Sequence, residues 1–165
     1  MSDAKAPRPG EVPLPFDPAD ADGDARIVFI GRAETPWPTR DDCPKNMRQA
    51  RERGRPAAIV VDPPYRPGLR DIKAGDAIWV LTWMDEAARN LIVQAPRHRD
   101  DTFGVFALRS PARPNPLGLS RAVVTAIDAA SGRVALDALD CRDGTAIVDI
   151  KPWIDTVDAP PAAAV

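Results

Sequence analysis

The stretch LSRAVVTAIDAASGRVALDAL, residues 119–139, shows how this chain builds its fold. It holds two strand-length runs of mainly aliphatic residues, Leu119–Ile127 and Arg133–Leu139, on either side of a Ser131-Gly132 turn. Runs of this length, rich in β-branched residues and bounded by turn residues, are typical of β-strands. The stretch therefore predicts strands that are joined by a turn and not by a helix.

Further runs of the same kind occur along the rest of the chain. They are Arg26–Ile30, Ala57–Val61, Ala77–Trp83, Leu91–Ala95, Phe103–Leu108 and Thr145–Ile150. No long helical pattern separates successive runs, which disfavours a parallel sheet with crossover helices. About eight short strands that must protect their edges favour an all-β fold, a single small closed antiparallel β-barrel.

One short helical segment is predicted over Asp42–Gly54. Asp41 or Asp42 would cap it, and Gly54 would end it. The surrounding residues 40–55 carry six basic and three acidic side chains, although the whole chain has a net charge of -2. This segment is therefore either a solvated charged surface or a local contact for phosphate or nucleic acid.

The length of 165 residues suits one ordinary domain with tails. We place the folded domain at residues 24–158. Residues 1–23 hold five prolines and few apolar side chains, so they are expected to form a proline-rich disordered tail, as are residues 159–165.

Cysteine and histidine are too scarce for several classes of site. Cys43, Cys141 and the single histidine, His98, provide no disulfide framework and no zinc-type ligand cluster. The aspartate spacings match no metal loop, so no metal is expected. Reduced thiols, the lack of an apolar run near ~18 residues and the lack of a basic-then-apolar leader indicate a cytoplasmic protein with no membrane partner.

The segment FGVFALRSPARPNPLGLS, residues 103–120, is the densest candidate site. Its prolines stiffen a loop that carries Arg109, Arg113 and Asn115, so these side chains have little freedom to lose on binding. Arginine presents a planar fork of donors for carboxylate or phosphate, and asparagine can donate and accept. A proline-rich loop with a purely structural role remains the alternative.

A second cluster lies at DALDCRDGTAIVDIKPW, residues 137–153. Asp140 and Asp143 flank a Gly144 turn, and a strand then places Asp149 and Lys151 two residues apart on one face. Carboxylates near a lysine can perturb one another's pKa values and provide a base. An ordinary turn followed by one ion pair explains the same spacing.

Several of these motifs together resemble a known family. The run VFALRSPARPNPLGLS at residues 105–120 is followed by Leu139-Asp140, by Asp143-Gly144-Thr145 and by the sequence DIKP at residues 149–152. Ile30-Gly31, Thr35-Pro36 and Arg48-Gln49 add supporting matches. Over residues 27 to about 155, the sequence resembles the TsaA-like family, which is also called YaeB or TrmO.

The resemblance implies an S-adenosylmethionine-dependent tRNA methyltransferase on a single-sheet β-barrel, working as a homodimer. Such enzymes methylate the exocyclic nitrogen of threonylcarbamoyl-adenosine next to the anticodon. By motif, the cofactor-binding residues would be Arg48, Gln49, Asp85, Glu86, Arg109, Leu119, Ala138, Leu139 and Asp140. Arg113, Asn115 and Lys151 would face the tRNA substrate, and Asp149 is the candidate catalytic base.

The chain departs from the family pattern at a few positions. Ala77 stands where the family usually has histidine, Met47 where it has proline, and Trp153 where it has tyrosine. Two other kinds of function therefore stay open. One is a non-catalytic sensor of S-adenosylmethionine or a nucleotide, and the other is an RNA-binding module that performs no chemistry.

Overall fold

A computed structural model describes residues 7–20, 23, 25–96 and 100–160 of the chain. His98 and the outermost parts of both predicted tails, residues 1–6 and 161–165, lie outside the described residues. The chain divides into two compact units. The larger unit comprises residues 27–83 and 119–165, and the smaller unit comprises residues 1–26 and 84–118.

Within its described residues, the larger unit holds a sheet whose strand order, β2-β3-β8-β7-β4-β9, closes on itself as a barrel. The strands are β2 (Gly31–Glu34), β3 (Ala57–Val61), β4 (Ala77–Trp83), β7 (Leu117–Asp128, of which residues 119–128 belong to this unit), β8 (Arg133–Leu136) and β9 (Ala146–Pro152). Neighbouring strands run antiparallel, for example β2 against β3 and β4 against β9. All-β is therefore the correct fold class.

The barrel interior follows the two-residue alternation of its strands. In β4, Ile78, Val80 and Thr82 are buried, while Trp79 and Leu81 are half-buried on the outer face. The interior also contains Ile59, Val61, Val124, Val134, Leu136 and Ile147. At the start of β2, a Cβ on Gly31 would lie 2.1 Å from the Val60 carbonyl oxygen, so only glycine fits there.

Short helical segments connect the strands. They are α1 (Met47–Glu52), α2 (Asp155–Asp158) and 3-10 turns at Arg40–Asp42 and Pro63–Leu69. The helix predicted over Asp42–Gly54 is thus shorter, because the Asn46 side chain caps it by accepting from the Gln49 N–H at 2.9 Å. Asp42 instead accepts from the Thr39 N–H at 3.1 Å and closes the preceding turn. Gly54, at φ 59, ends the helical segment as predicted.

The smaller unit contains a second sheet, in the order β1-β5-β6, which the sequence did not predict. Its strands are β1 (Val12–Pro13), β5 (Leu91–Gln94) and β6 (Phe103–Gly104). β6 is shorter than the predicted Phe103–Leu108, because residues Val105–Ala107 form a 3-10 turn. The expectation of a single sheet is therefore corrected to two sheets.

β1 belongs to the leader that we expected to be a disordered tail over residues 1–23. The structure differs over residues 7–20, where Val12 pairs with Val93 of β5. The Glu11 carboxylate anchors this pairing: its side chain is only 4% exposed and accepts from Arg8 Nη2 at 2.6 Å. It also accepts from the Ala95 N–H at 3.3 Å. The hydrogen bonds to this buried carboxylate offset the entropy cost of ordering the proline-rich leader.

The strand predicted at Arg26–Ile30 is wrong, because β2 begins at Gly31. Ile27, Val28 and Phe29 are 50%, 62% and 46% exposed, so this apolar run is not part of the barrel interior. Pairing partners decide the strand position: Gly31 and Arg32 lie opposite Val61 and Val60 of β3.

Among the residues that the structure describes, none of the helices has the length and apolar content needed to span a bilayer.

Replacing Glu11 should loosen the leader in a pH-dependent way. Burial acts to raise the pKa of Glu11, but hydrogen bonds from Arg8 and the Ala95 N–H outweigh it and hold the pKa below its ordinary value of 4.5. A lowered folded pKa means that Glu11 stabilises the folded leader fully above pH 4.5 and loses that effect as the pH falls through the folded pKa.

We expect Glu11→Gln to speed hydrogen exchange at the Ala95 amide roughly tenfold or more at pH 7, since hydrogen bonds to charged groups contribute about 1.5–3 kcal/mol. The difference from the wild type should shrink below pH 4. Glu34→Gln is the control, because Glu34 forms a half-exposed pair with Arg133 at 3.0 Å. Equal exchange at Ala95 in wild type and Glu11→Gln would contradict the anchoring role.

Candidate functional site

The segment from Asp137 to Cys141, which follows β8 in the larger unit, is buried but irregular. Its polar groups pair with side chains from other elements. The Trp37 indole donates to the Leu139 carbonyl at 2.9 Å, and the Thr35 hydroxyl donates to the Cys141 carbonyl at 3.0 Å. These bonds satisfy backbone groups that have no strand partner, so they fix the path of the segment.

Asp140 is the half-buried carboxylate of this segment. Its Oδ1 accepts a hydrogen bond from the Ser120 hydroxyl at 2.8 Å, and Ser120 itself is only 8% exposed. No described residue forms a hydrogen bond with Asp140 Oδ2 in the structure, so this oxygen can accept one from a ligand. Ala138 and Leu139, at 1% and 2% exposure, are buried beside it, and their contact with a cofactor stays a prediction.

Two thiols respond to the Asp140 charge. Burial, and then the negative charge of Asp140, raise the pKa of the Cys141 thiol to about 12. The same two causes, in the same order, raise the pKa of Cys43, and the Asp42 charge adds to them. Both thiols therefore stay protonated near neutral pH. The Arg142 and Arg53 charges act in the opposite direction on the pKa of Cys43, so the negative charge here is that of the acidic side chains, and the Asp140 carboxylate favours a cationic or hydrogen-bond-donating ligand group.

Helix α1 is tied to this segment by arginines. Arg51 Nε lies 2.6 Å from Asp137 Oδ2, and Arg51 Nη2 donates to the Arg121 carbonyl at 2.7 Å. The Arg53 guanidinium lies 5.0 Å from the centre of the Trp37 ring. The structure thus brings α1, which carries Arg48 and Gln49, next to the segment that carries Ala138, Leu139 and Asp140.

Arg48 and Gln49 themselves occupy exposed and half-buried positions on α1. Arg48 Nε lies 3.6 Å from Glu52 Oε1, a contact between two largely exposed side chains. Gln49 Oε1 accepts from the Lys45 N–H at 2.7 Å. Arg51 and Arg53, two of the six basic side chains of residues 40–55, donate to groups of the fold. Fewer of their N–H groups are therefore available for a phosphate contact.

Asp149 and Lys151 form the ion pair that their spacing predicted, with Lys151 Nζ 2.9 Å from Asp149 Oδ2. They lie opposite Leu81 and Trp79 of β4, on the outer face of the barrel. Asp149 also borders a cavity of about 150 Å³ with Ile30, Val61, Tyr65, Gly68, Leu69, Ile72 and Ile150. Asp149 belongs to β9, whereas Asp140 belongs to the irregular segment after β8 and bonds Ser120 of β7.

Trp153 packs on the same outer face. Its ring centre lies 5.2 Å from that of Trp79, and the Arg121 guanidinium lies 4.3 Å from its ring centre. The Trp153 indole N–H donates to Asp155 Oδ1 at 2.5 Å, and its backbone N–H donates to the Ala77 carbonyl at 2.9 Å. A tryptophan at this position is therefore well anchored, and Ala77 contributes to that anchoring through its backbone.

In the smaller unit, the proline-rich loop is held by side chains that donate to its carbonyl groups. Arg113 Nε donates to the Ser110 carbonyl at 2.8 Å, while its Nη2 donates to the carbonyls of Val105, at 3.2 Å, and Leu108. Arg89 Nε donates to the Pro114 carbonyl at 2.7 Å. Proline has no backbone N–H to donate. The carbonyl groups of this loop therefore accept hydrogen bonds from side chains. Arg113 therefore has a structural role in this loop, and its contact with tRNA stays a prediction.

The other predicted residues of the smaller unit lie at its surface. Asp85 and Glu86 form an exposed turn after β4, and Arg109 and Asn115 are exposed on the proline-rich loop. The Asn115 carbonyl accepts from the Leu117 N–H at 2.8 Å. Leu119, in the larger unit, is 46% exposed on β7. Their roles in cofactor or substrate binding stay predictions.

No group of three or more His, Cys, Asp or Glu side chains within the described ranges is placed to hold a metal ion.

The comparisons with known proteins decide the family. The model of the tRNA-methyltransferase O N-terminal domain matches residues 32–159. The chain belongs to this family. The resemblance stated from the sequence motifs is therefore confirmed.

Relatives and solved structures agree with this assignment. The chain is 35% identical over 132 residues to a probable S-adenosyl-L-methionine-binding protein, VirR, of Rhizobium radiobacter, covering 79% of this chain and 72% of the relative. It is 50% identical over 63 residues to a tRNA (adenine(37)-N6)-methyltransferase of Eikenella corrodens, covering 38% and 36%. A crystal structure of TrmO from Pseudomonas aeruginosa superposes with a TM-score of 0.67 and 25% identity, covering 87% of this chain and 61% of that one. The chain thus spans about three fifths of the solved TrmO chain.

Sequence reasoning missed two residues that shape the Asp140 segment. Ser120 lies within the quoted motif, where its pairing with Asp140 has no sequence signal because twenty residues separate them. Trp37 follows the Thr35-Pro36 match and is 6% exposed, with its indole N–H used by the Leu139 carbonyl. The neighbouring Thr35-Pro36 match was the available hint.

Arg113→Lys should loosen the proline-rich loop. A lysine ammonium cannot reproduce a planar fork that bonds three carbonyls. The loss of a charged hydrogen bond, about 1.5–3 kcal/mol, predicts hydrogen exchange at least roughly tenfold faster at the Leu108 amide, which bonds the Val105 carbonyl. Arg48→Lys, which keeps an exposed ion pair with Glu52, is the matched control and should leave exchange unchanged. Unaltered exchange in Arg113→Lys would refute the structural role.

Proposed function

We propose that this protein is an S-adenosylmethionine-dependent tRNA methyltransferase. The observation that carries the proposal is Asp140, a carboxylate fixed by the buried Ser120 hydroxyl with its second oxygen available to a ligand. Membership of the tRNA-methyltransferase O family supports it, as do relatives that are named for binding S-adenosyl-L-methionine or for methylating tRNA adenine 37.

The residues around Asp140 fit this cofactor. The sulfonium and ammonium groups of S-adenosylmethionine are cationic and suit the negative charge of Asp140. That charge also raises the pKa of both nearby thiols. The ribose hydroxyls and amino group of the cofactor are donors, which match a carboxylate acceptor. Asp140 would hold one of these groups, with Arg48 and Gln49 of the adjoining α1 and the backbone of Ala138 and Leu139 as further contacts.

The bound cofactor would supply an activated methyl group, and the chain would supply position. Ser120 and Trp37 fix the Asp140 segment before any ligand arrives, so little conformational entropy is lost on binding. Transfer requires the accepting nitrogen in line with the methyl group at ~3 Å, an arrangement that rigid positioning favours. Asp149, paired with Lys151 on the barrel wall, remains the predicted base, and its role can be measured separately from cofactor binding.

We propose that the methyl acceptor is the exocyclic nitrogen of the adenosine next to the anticodon. The methyltransferase relative of Eikenella corrodens is named for this position. The threonylcarbamoyl form of that adenosine, implied by the family resemblance, is the specific substrate we propose. The decisive experiment is transfer of labelled methyl from S-adenosylmethionine into tRNA, comparing tRNA that carries threonylcarbamoyl-adenosine with tRNA that lacks this modification.

A sensor that binds S-adenosylmethionine without catalysis is the second candidate, because several relatives are named only as S-adenosyl-L-methionine-binding proteins. Calorimetric binding of S-adenosylmethionine without methyl transfer to either tRNA would select it. Binding of tRNA without any heat from S-adenosylmethionine would leave an RNA-binding module.

Asp140→Asn should weaken S-adenosylmethionine binding. The change keeps the shape of the side chain and removes its charge. Losing one charged hydrogen bond, about 1.5–3 kcal/mol, should raise Kd roughly 10- to 100-fold in calorimetry. Asp149→Asn is the matched control and should change Kd less than about twofold, while its effect on the methyl-transfer rate tests the predicted base. A normal Kd in folded Asp140→Asn would remove Asp140 from the proposed site.

We further propose that the protein forms a homodimer through the apolar strip Ile27–Phe29 of the larger unit. These three residues are 46–62% exposed. The centre of the Phe29 ring lies 6.5 Å from that of the Trp83 ring on the barrel wall. Neighbouring exposed apolar side chains of this kind mark protein interaction surfaces. A second copy of the chain would shield them from water.

Val28→Asp should therefore shift the dimer towards monomer. Val28 is 62% exposed, so the change leaves the barrel interior intact, whereas an unpaired charge within an interface costs several kcal/mol. Sedimentation velocity should show a dimer dissociation constant at least tenfold higher, roughly 1.4 kcal/mol. Val157→Asp, at a 74% exposed position of α2, is the control. A wild-type monomer, or an unaffected dimer in Val28→Asp, would contradict the proposed interface.

A further inference from the structure

Phe106 is the most exposed of the large apolar side chains in the described part of the chain, at 81%. It lies at the centre of the 3-10 turn Val105–Ala107 in the smaller unit. The proline-rich motif contains this residue, but neither the fold nor the proposed cofactor contacts use its ring. An aromatic ring that stays in water contributes no burial free energy to the fold. The exposed position of Phe106 therefore calls for a functional explanation.

The turn that carries Phe106 is firmly anchored. Val105, directly before it, is fully buried, and the Leu108 N–H donates to the Val105 carbonyl at 3.2 Å. Arg113 donates to the carbonyls of both Val105 and Leu108. These contacts fix the backbone on both sides of Phe106, so the ring projects from a preorganised turn. Preorganisation lowers the entropy cost of binding through such a ring.

The surroundings of the ring favour one kind of partner. Gly104, just before the turn, and Ala107, within it, are exposed and contribute little apolar surface, and Arg109 is exposed three residues after Phe106. A protein interface needs a contiguous apolar centre, and a small-molecule site needs a concave pocket. Stacking of a nucleobase needs only one accessible aromatic face and is independent of base identity.

We propose that Phe106 stacks on an unpaired base of the RNA substrate. This inference rests on the proposed function and adds the contact through which the protein holds single-stranded RNA. The ring acts by stacking and makes no phosphate contact. Its contribution should therefore depend on aromaticity and should not depend on salt.

The test measures the Kd of the full chain for a fluorescently labelled anticodon stem-loop RNA by anisotropy. Phe106→Ala should raise Kd roughly 5- to 150-fold, the range for losing one stacked base. Phe106→Leu, which keeps much of the apolar surface, should bind as poorly as Phe106→Ala, whereas Phe106→Trp should restore binding. Phe16→Ala, at a 58% exposed phenylalanine of the leader, is the matched control and should bind normally.

Two further measurements on the same variants separate this inference from the proposed function. The salt dependence of log Kd should keep the same slope in wild type and Phe106→Ala, and calorimetry should give both the same Kd for S-adenosylmethionine. Circular dichroism melting checks that the variants are folded. We expect them to fold because the Phe106 ring is exposed.

Several outcomes would overturn the inference. Normal RNA binding by Phe106→Ala or Phe106→Leu would exclude stacking, and a shift of Phe106→Ala from dimer to monomer with unchanged RNA binding would assign the ring to a second copy of the chain. Weakened S-adenosylmethionine binding alone would assign it to the cofactor. If wild type transfers methyl groups and Phe106→Ala binds RNA normally, only this inference fails. If wild type binds no RNA, the inference and the proposed function fail together.

Discussion

The candidate site depends on satisfying the polar groups of a largely buried segment that forms no regular strand. In residues 137–141, which follow β8, Ala138, Leu139 and Cys141 are buried, while Asp137 and Asp140 are half-buried. An unpaired buried carbonyl costs about 1–3 kcal/mol, so the indole of Trp37 and the hydroxyl of Thr35 are needed as donors. The same donors hold Asp140 at a defined position. A requirement of folding thus preorganises the carboxylate on which the proposed cofactor contact rests.

The smaller unit meets the same requirement with different chemistry. Its proline-rich loop has few N–H groups, so its carbonyls cannot join a regular ladder. Arg113, Arg89 and Gln94 donate to these carbonyls instead. The sequence predicts that Arg113 faces the substrate, and the structure shows its guanidinium bonded to carbonyls of its own loop. A guanidinium suits a phosphate and a set of carbonyls equally well, and composition cannot tell which of the two is nearby.

Elements with strong local patterns were predictable from the sequence, whereas long-range partners were not. Ala57–Val61 and Ala77–Trp83 have the predicted bounds because alternation, turn residues and pairing agree there. Arg26–Ile30 is apolar enough for a strand, yet the partners of β3 begin at Gly31. One of the two residues of β1 is a proline, and only its pairing with β5 and the Glu11 contacts make it a strand. The Asp149–Lys151 pair followed from two-residue spacing, whereas Ser120–Asp140 joins residues with no periodic relation.

Structural use of the arginines limits the RNA contacts that this acidic chain could make under the proposed function. Arg51 bonds Asp137 and a carbonyl, Arg53 stacks on Trp37, and Arg66 bonds the carbonyls of Val61 and Ala130. The charge of Arg51 is paired with Asp137, whereas Arg53 and Arg66 keep their full charge and have fewer N–H donors left for a phosphate. With a net charge of -2, the chain has little bulk field to draw RNA in. Under the proposed function, RNA recognition would therefore depend on a few surface cations and on contacts that need no charge, such as aromatic stacking on unpaired bases.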